Sequence, residues 1–91
     1  MHRLMLKHAA AKVRRSLAPK PPDPRDLKRL GKAFAARRHE VGLTQEPLVL
    51  LTGFKSEYIS LLERGGRNPP YTTQLAIARA LKTTVARLVP R

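Results

Sequence analysis

Apolar residues recur at helical spacing from residue 24 onward, and this pattern predicts five short helices and no strand. The first predicted helix covers about residues 24 to 40. The next three are predicted at about 45 to 52, 56 to 64 and 71 to 81, and a short fifth helix follows Thr84. An all-α fold is therefore expected.

Capping residues and glycines mark the ends of these predicted helices. Asp23 and Pro24 form a strong start signal, because Asp accepts a backbone N–H and Pro lacks the N–H that would go unpaired there. Thr44 and Thr84 are the other predicted N-caps. Glycine adopts the left-handed backbone that ends many helices, and the predicted stops are Gly42, Gly53, Gly65 and Gly66.

One small domain is the most that 91 residues can build, and its core is expected to be modest. Apolar residues on one side of each helix must supply this core, because each helix packs against the others. The residues predicted to face inward are Leu27, Leu30, Phe34, Val41, Tyr58, Ile59, Leu62, Leu75, Ala78 and Leu81.

The chain is strongly basic, with 19 Lys and Arg against 6 Asp and Glu and a net charge of +13. A surface of this charge attracts polyanions, of which nucleic acids are the first candidates. Residues 1–22 contribute +6 with no acid at all, so residues 23–91 contribute +7.

We predict that residues 1–22 form a basic, flexible N-terminal arm and that residues 23–91 form the folded domain. Pro19, Pro21 and Pro22 favour an extended spacer between the two. The apolar positions of the arm recur at helical spacing, at Leu6, Ala10, Val13 and Leu17. A basic amphipathic helix could form there on an anionic surface. The same composition fits a mitochondrial transit peptide, and that alternative stays open.

Residues for catalysis or metal binding are scarce. The chain has no Cys, and its three histidines, His2, His8 and His39, lack the spacing of a metal site. Because no Ser–His–Asp or Cys–His set stands out, we expect no enzymatic activity, no metal and no cofactor. No apolar run approaches the roughly 18 residues of a membrane span.

Residues 42–69 carry the most informative pattern, which is a helix start, a break at Gly53 and a second short helix ending in a basic turn. The segments are Gly42-Leu43-Thr44-Gln45-Glu46, Tyr58-Ile59-Ser60-Leu61-Leu62-Glu63 and Gly65-Gly66-Arg67-Asn68-Pro69, followed by Ile77-Ala78-Arg79-Ala80-Leu81. They resemble the Cro-repressor or xenobiotic-response-element (XRE) family of helix-turn-helix proteins. The resemblance implies a five-helix, lambda-repressor-like domain that binds operator DNA, usually as a two-fold dimer.

The resemblance also implies roles for individual residues. Ser56, Glu57 and Leu61 match positions that meet base edges, where Glu57 could accept from a cytosine amino group and Leu61 could meet a thymine methyl. Glu57 could instead serve the helix dipole. The residues matched to DNA backbone contacts are Gln45, Lys55, Ser60, Arg64 and Arg67. Arg38 and Glu63 match a pair that joins helix 1 to helix 3, and we interpret this pair as structural.

Predicted helix 2 departs from the family pattern at two positions. Val49 stands where a small Ala is usual, and Thr52 stands where a Leu is usual. Either the helix is rotated to share its packing differently, or it keeps the ordinary register and exposes Leu50 and Leu51. If the two leucines are exposed, we expect them to pack under the arm or to form a site for a protein partner.

The predicted function is a sequence-specific, DNA-binding transcriptional regulator with helix 3 in the major groove, located in the cytoplasm at a bacterial or phage nucleoid. Two alternatives stay open: the antitoxin of a toxin–antitoxin pair, and a basic architectural or RNA-binding protein. We expect a homodimer that is completed on double-stranded DNA. Its contact is predicted at Val85, Leu88 and Val89 of helix 5.

Overall fold

A computed structural model describes residues 21–89, which form five α-helices. The helices are α1 (Pro24–Glu40), α2 (Gln45–Thr52), α3 (Ser56–Glu63), α4 (Tyr71–Ala80) and α5 (Val85–Leu88). No strand occurs within residues 21–89, so the all-α fold expected from the sequence is confirmed. Residues 1–20 of the predicted arm lie outside the described residues.

Side chains cap α1 and α5 as predicted. Asp23 Oδ1 accepts the backbone N–H of Arg25 at 2.8 Å, and Thr84 Oγ1 accepts a backbone N–H three residues later at 3.2 Å. Thr44 does occupy the N-cap position of α2, but its side chain makes no capping hydrogen bond. The predicted N-cap position of Thr44 is therefore confirmed, without the side-chain hydrogen bond of a cap.

Four helices end at a residue in the left-handed conformation, which in α2 is Gly53 with a φ of 76°. Gly65 has a φ of 77°, and the backbone N–H of Gly66 donates to the carbonyl of Leu61 at 2.8 Å, which is the Schellman arrangement. Gly42, with a φ of 76°, ends α1 in the same way. In α4 the corresponding residue is Lys82, with a φ of 56°, where the Cβ makes the conformation strained.

The core draws on all five helices. Its buried members are Phe34, Leu48, Ile59, Leu62, Ile77, Ala78, Leu81 and Leu88. The predicted residues Leu30, Val41 and Tyr58 are half-buried and pack against this cluster. Leu75 does not join it, because α4 turns Ile77 inward instead. The other exception is Leu27, which is half-buried outside the cluster.

Glycine allows α1 and α3 to pack in direct backbone contact. A Cβ at Gly31 would overlap the carbonyl oxygens of Leu62 and Glu63 at the end of α3. A Cβ at Gly65 would lie 2.8 Å from the backbone nitrogen of Lys28. The C-terminal end of α3 therefore rests on α1, and this contact fixes the direction of α3.

The predicted dimer contact at Leu88 is wrong. Leu88 is only 6% exposed and belongs to the core of the monomer. Val85 is half-buried and packs against the same cluster. Because α5 has a single turn, its apolar residues are needed to close the core of this small domain.

Helix α2 keeps the ordinary register, so the rotated alternative is wrong. Leu48 is buried at 1% exposure, and Val49 packs partly against the core. Leu50 and Leu51 are 79% and 63% exposed. The Thr52 hydroxyl donates to the carbonyl of Leu48 at 2.7 Å. Thr52 therefore contributes to the end of α2 by a hydrogen bond, whereas a Leu at this position would contribute by packing.

Candidate nucleic-acid interface

Helix α3 has one buried side and one outward side. Ile59 and Leu62 form the buried side. Residues four positions apart lie above one another on a helix, so residues 56 and 60 form one row and residues 57 and 61 form the next, and these two rows make up the outward side. We call them the recognition face: Ser56 and Glu57, which are exposed, and Ser60 and Leu61, which are half-exposed. The structure thus brings the predicted base-reading residues together.

Cations surround the recognition face. Lys55 precedes α3, and Arg64 and Arg67 follow it; all three are exposed. Arg64 Nε donates to the carbonyl of Ser60 at 3.3 Å. Within residues 21–89, none of the three cations forms an ion pair. Their charges are therefore available to an anionic partner of α3.

A buried ion pair links α1 to α3. Arg38 Nε donates to Glu63 Oε2 and Arg38 Nη2 donates to Glu63 Oε1, both at 2.8 Å. Each side chain is only 9% exposed. The third Arg38 nitrogen, Nη1, donates to the carbonyl of Leu43 at 2.9 Å, just before α2. The fork of Arg38 therefore ties α1 to α3 and to the segment that enters α2.

The network continues through α2 to the recognition face. Gln45 Nε2 donates to Glu63 Oε1 at 3.2 Å, and the Ser60 hydroxyl donates to Gln45 Oε1 at 2.9 Å. Both residues were predicted to meet DNA phosphates, and here they bind each other. An amide group carries two N–H donors, so Gln45 keeps one for another acceptor. The chain of contacts from Arg38 to Ser60 fixes the angle between α2 and α3.

Charge stabilises this network. Burial raises the pKa of Glu63, but the hydrogen bonds from Arg38 and Gln45, together with the electrostatic effects of Arg38 and His39, lower the pKa by more. The pKa of Glu63 therefore lies below its ordinary value of 4.5. Hydrogen bonding to Glu63 also raises the pKa of Arg38, against the opposing effect of burial. Both groups are thus charged at neutral pH.

Arg37 and Gly31 have structural roles that were not predicted from the sequence. Arg37 Nε donates to the carbonyl of Leu81 at 3.0 Å and Arg37 Nη2 donates to that of Lys82 at 3.1 Å, so it caps the end of α4. Neither the capping by Arg37 nor the close packing at Gly31 can be predicted from the spacing of apolar residues. Helical Gly31, which propensity disfavours, was the one available signal of close packing.

The rest of the described chain offers little other chemistry. Among residues 21–89, no group of three or more His, Cys, Asp or Glu side chains could hold a metal ion. In the same region, no helix is both long enough and apolar enough to cross a membrane.

Comparisons with known proteins agree on one family. A family model described as a helix-turn-helix domain matches residues 20–89. An uncharacterized HTH-type transcriptional regulator of Sinorhizobium fredii, y4dJ, is 45% identical over 65 residues, which cover 70% of this chain and 84% of that protein.

Two solved structures share the fold. The restriction-modification controller protein C.AhdI from Aeromonas hydrophila superposes with a TM-score of 0.67 at 35% identity, covering 69% of this chain and 96% of that chain. The controller protein C.Esp1396I, solved as a tetramer with its natural 35-base-pair operator, has a TM-score of 0.63 at 27% identity. That alignment covers 68% of this chain and 82% of C.Esp1396I.

Proposed function

Because the chain belongs to the XRE-type helix-turn-helix family, we infer that it is a sequence-specific, DNA-binding transcriptional regulator. The observation that carries this function is the recognition face of α3, which points outward and is surrounded by three exposed cations. A helix held in this way can lie in the major groove, with α2 crossing the DNA backbone. The proposed place of action is the cytoplasm, at a bacterial or phage nucleoid.

Base readout is assigned to Ser56, Glu57 and Leu61. The Glu57 carboxylate can accept a hydrogen bond from a cytosine amino group, and the Leu61 side chain can contact a thymine methyl group. Ser56 can donate to or accept from several bases, so it adds little discrimination. Glu57 therefore carries the sharpest specificity of the three.

Phosphate binding is assigned to the surroundings of this face. Lys55, Arg64 and Arg67 are exposed cations, which contribute affinity without base information. Gln45 opens α2, where unpaired backbone N–H groups and the helix dipole favour an anion. Its second amide N–H would donate to the phosphate, and the half-buried Ser60 hydroxyl would join it only by giving up its hydrogen bond to Gln45.

The proposed assembly is a homodimer completed on DNA. With Leu88 buried, the surface available for self-association is an open hollow between α4 and α5. Tyr71, Leu75 and Val85 line it, and its volume is about 310 Å³. Tyr71 is 62% exposed, so a second copy would cover apolar surface that the monomer leaves in water. C.Esp1396I, which binds its operator as a tetramer, offers a precedent for self-association in a related fold.

Selection of bound sequences from a random DNA pool tests the function directly. The wild-type protein should enrich a defined motif, and Glu57→Ala should relax one position in each half-site by about 1–3 kcal/mol of discrimination. Glu46→Ala is the matched control, because Glu46 is also an acid in the first turn of a helix but lies outside the recognition face. This control should enrich the wild-type motif.

One result would overturn the proposed function, and a second would overturn the assignment of Glu57. A wild-type protein that binds DNA without enriching a motif would indicate an architectural protein. A motif unchanged in Glu57→Ala would remove this residue from the base-reading set.

A further inference from the structure

Helix α2 carries an apolar surface that no described residue covers. Leu50 and Leu51 are 79% and 63% exposed, and Tyr71 is the other exposed large hydrophobic residue within residues 21–89. Two adjacent leucines in water form a patch of the kind that marks a contact site. We call Leu50 and Leu51 the α2 patch.

The α2 patch lies in a segment without positive charge. Residues 39–54 contain no Lys or Arg, although the chain has 19 of them. The acids of this segment are Glu40 and Glu46. Glu40 binds Arg37 at 3.2 Å, whereas Glu46 forms no ion pair within residues 21–89. A basic segment that docks on α2 would therefore meet no positive charge on this helix, and it would find the carboxylate of Glu46 without an ion pair among residues 21–89.

The N-terminal arm has the complementary chemistry. At 100° per residue, Leu6, Ala10, Val13 and Leu17 fall within roughly 40° of one line along a helix. The five cations of the same stretch fall roughly 60° or more from that line, namely Arg3, Lys7, Lys12, Arg14 and Arg15. The apolar stripe can thus contact a partner while the cations face outward.

The arm is long enough to cross the domain. Residues 18–22 can span about 17 Å when extended, and a helix over residues 4–17 would add about 20 Å. A domain the size of residues 21–89 has a diameter of about 30 Å, estimated from its chain length. Together the two segments span about 37 Å, which is more than the width of the domain.

We propose that the apolar stripe of residues 4–17 docks on Leu50 and Leu51 of its own chain. The tether gives the arm an effective concentration of order millimolar at the patch, so a weak apolar contact suffices to keep it docked. Docking removes the two leucines from water and turns the cations outward beside α2. The phosphate assigned above lies at the N-terminus of α2 and the two leucines lie in its last turn, so the docked arm adds positive charge to the other end of the same helix.

Paramagnetic relaxation in the full-length protein tests this contact. Since the chain has no Cys, Ser16→Cys provides a unique site for a nitroxide in the arm. The backbone amide signals of Leu50 and Leu51 should be broadened much more strongly than that of Arg87 in α5. Equal broadening of all three, or none at the patch, would overturn the proposal.

A mixed sample identifies the donor of the arm. Isotope-labelled protein without nitroxide is mixed with unlabelled protein that carries it, so only contacts between copies cause broadening. If the arm docks within its own chain, the amide signals of Leu50 and Leu51 stay sharp in this sample. Broadening of equal strength in both samples would assign the patch to a second copy. Sharp amide signals of Leu50 and Leu51 in both samples would indicate that a different protein, such as a toxin, covers the patch. Docking on a second copy and docking of a different protein would each overturn the proposal.

Substitution at the patch provides the matched control. Leu50→Lys/Leu51→Lys should abolish the broadening of α2 in the nitroxide-labelled chain, and both side chains are exposed enough to leave folding intact. Ala36→Lys/Thr72→Lys adds the same two charges at exposed positions of α1 and α4 and should preserve it. Broadening that survives at the lysine-substituted patch would contradict docking on these leucines.

Discussion

Glu63 is the residue on which the orientation of α3 depends most. It receives two hydrogen bonds from Arg38 and one from Gln45, so three structural elements meet at one carboxylate. Removing one partner of a buried pair leaves the other charge uncompensated. A single neutral substitution at Glu63 should therefore disturb stability and the DNA-binding geometry together.

We predict that Glu63→Gln lowers the free energy of unfolding by about 3 kcal/mol, because the size is kept while Arg38 loses its counter-charge. Denaturant unfolding measures the change. Glu57→Gln, at an exposed position, is the control and should stay within about 0.5 kcal/mol of wild type. Equal stabilities for the two variants would show that the pair contributes nothing.

The same pair predicts the response to acid. The pKa of Glu63 is lower in the folded state than its ordinary value of 4.5, so the unfolded state binds the proton more readily. The stabilisation is complete above about pH 4.5 and is lost as pH falls through the folded-state pKa. Unfolding free energies at several pH values below 5 should therefore fall less steeply for Glu63→Gln than for wild type. Parallel pH profiles would contradict this assignment.

Lys82 is a second residue with a measurable local effect. Its φ of 56° places a side chain in the left-handed region at the end of α4, where glycine is unstrained. Lys82→Gly should raise the unfolding free energy by about 1 kcal/mol and the melting temperature by about 4–8 °C. Lys28→Gly, inside α1, is the opposite control, because glycine destabilises a helix interior. A melting temperature lowered in both variants would refute the strain at Lys82.

The contact between α1 and α3 reverses an ordinary rule about helices. Gly→Ala inside a helix usually stabilises by about 0.5–1 kcal/mol. At Gly31, however, the added methyl would overlap two backbone carbonyls of α3, which cannot rotate away. Gly31→Ala should therefore destabilise by about 1–3 kcal/mol, measured by thermal unfolding. Ala36→Gly, at an exposed position of α1, gives the size of the propensity term alone.

Helix positions were predictable from the sequence because caps, glycines and apolar spacing act locally. Asp23, Gly42 and Gly53 each mark a boundary that the structure shows within a residue or two. Contacts between helices were less accessible. Leu88 was predicted to lie at a dimer contact, but whether this residue covers a core or a partner depends on how α5 packs against α1 and α4.

The same distinction applies to the candidate site: relations within one helix were predictable, and contacts between helices were not. Motif spacing brought Ser56, Glu57 and Leu61 to one face, since that relation is fixed within one helix. The hydrogen bond between Ser60 and Gln45 joins two helices, so it could not be predicted from the residue spacing within either helix. It also changes the interpretation of both residues, because phosphate binding must share their polar atoms with the internal network.

The whole molecule is expected to bind DNA as a two-fold pair, which determines the symmetry of its site. Selected sequences should be near-palindromes, with half-site centres about 10 base pairs or a multiple of that distance apart. Tyr71→Glu would place a charge in the hollow between α4 and α5, so it should weaken pairing while single half-sites still bind. Band-shift titrations on full and half sites measure both. One unrepeated element, bound by one protein per duplex, would exclude the pair.

The distribution of charge along the chain predicts how binding responds to salt. The arm holds six cations without an acid, and docking on α2 would leave most of them facing outward. If all six meet phosphates, counterion release adds about 5 per protomer to the magnitude of the slope of log affinity against log salt. A full-length variant with these six residues changed to Gln should therefore show a flatter slope and bind most weakly at low salt. Its preferred sequence should not change, because phosphate contacts carry no direct base information. Lys28→Gln/Lys32→Gln, in α1, shows the effect on the slope of removing two cations outside the arm. Slopes of wild type and arm variant that run parallel would show that the arm makes no phosphate contact.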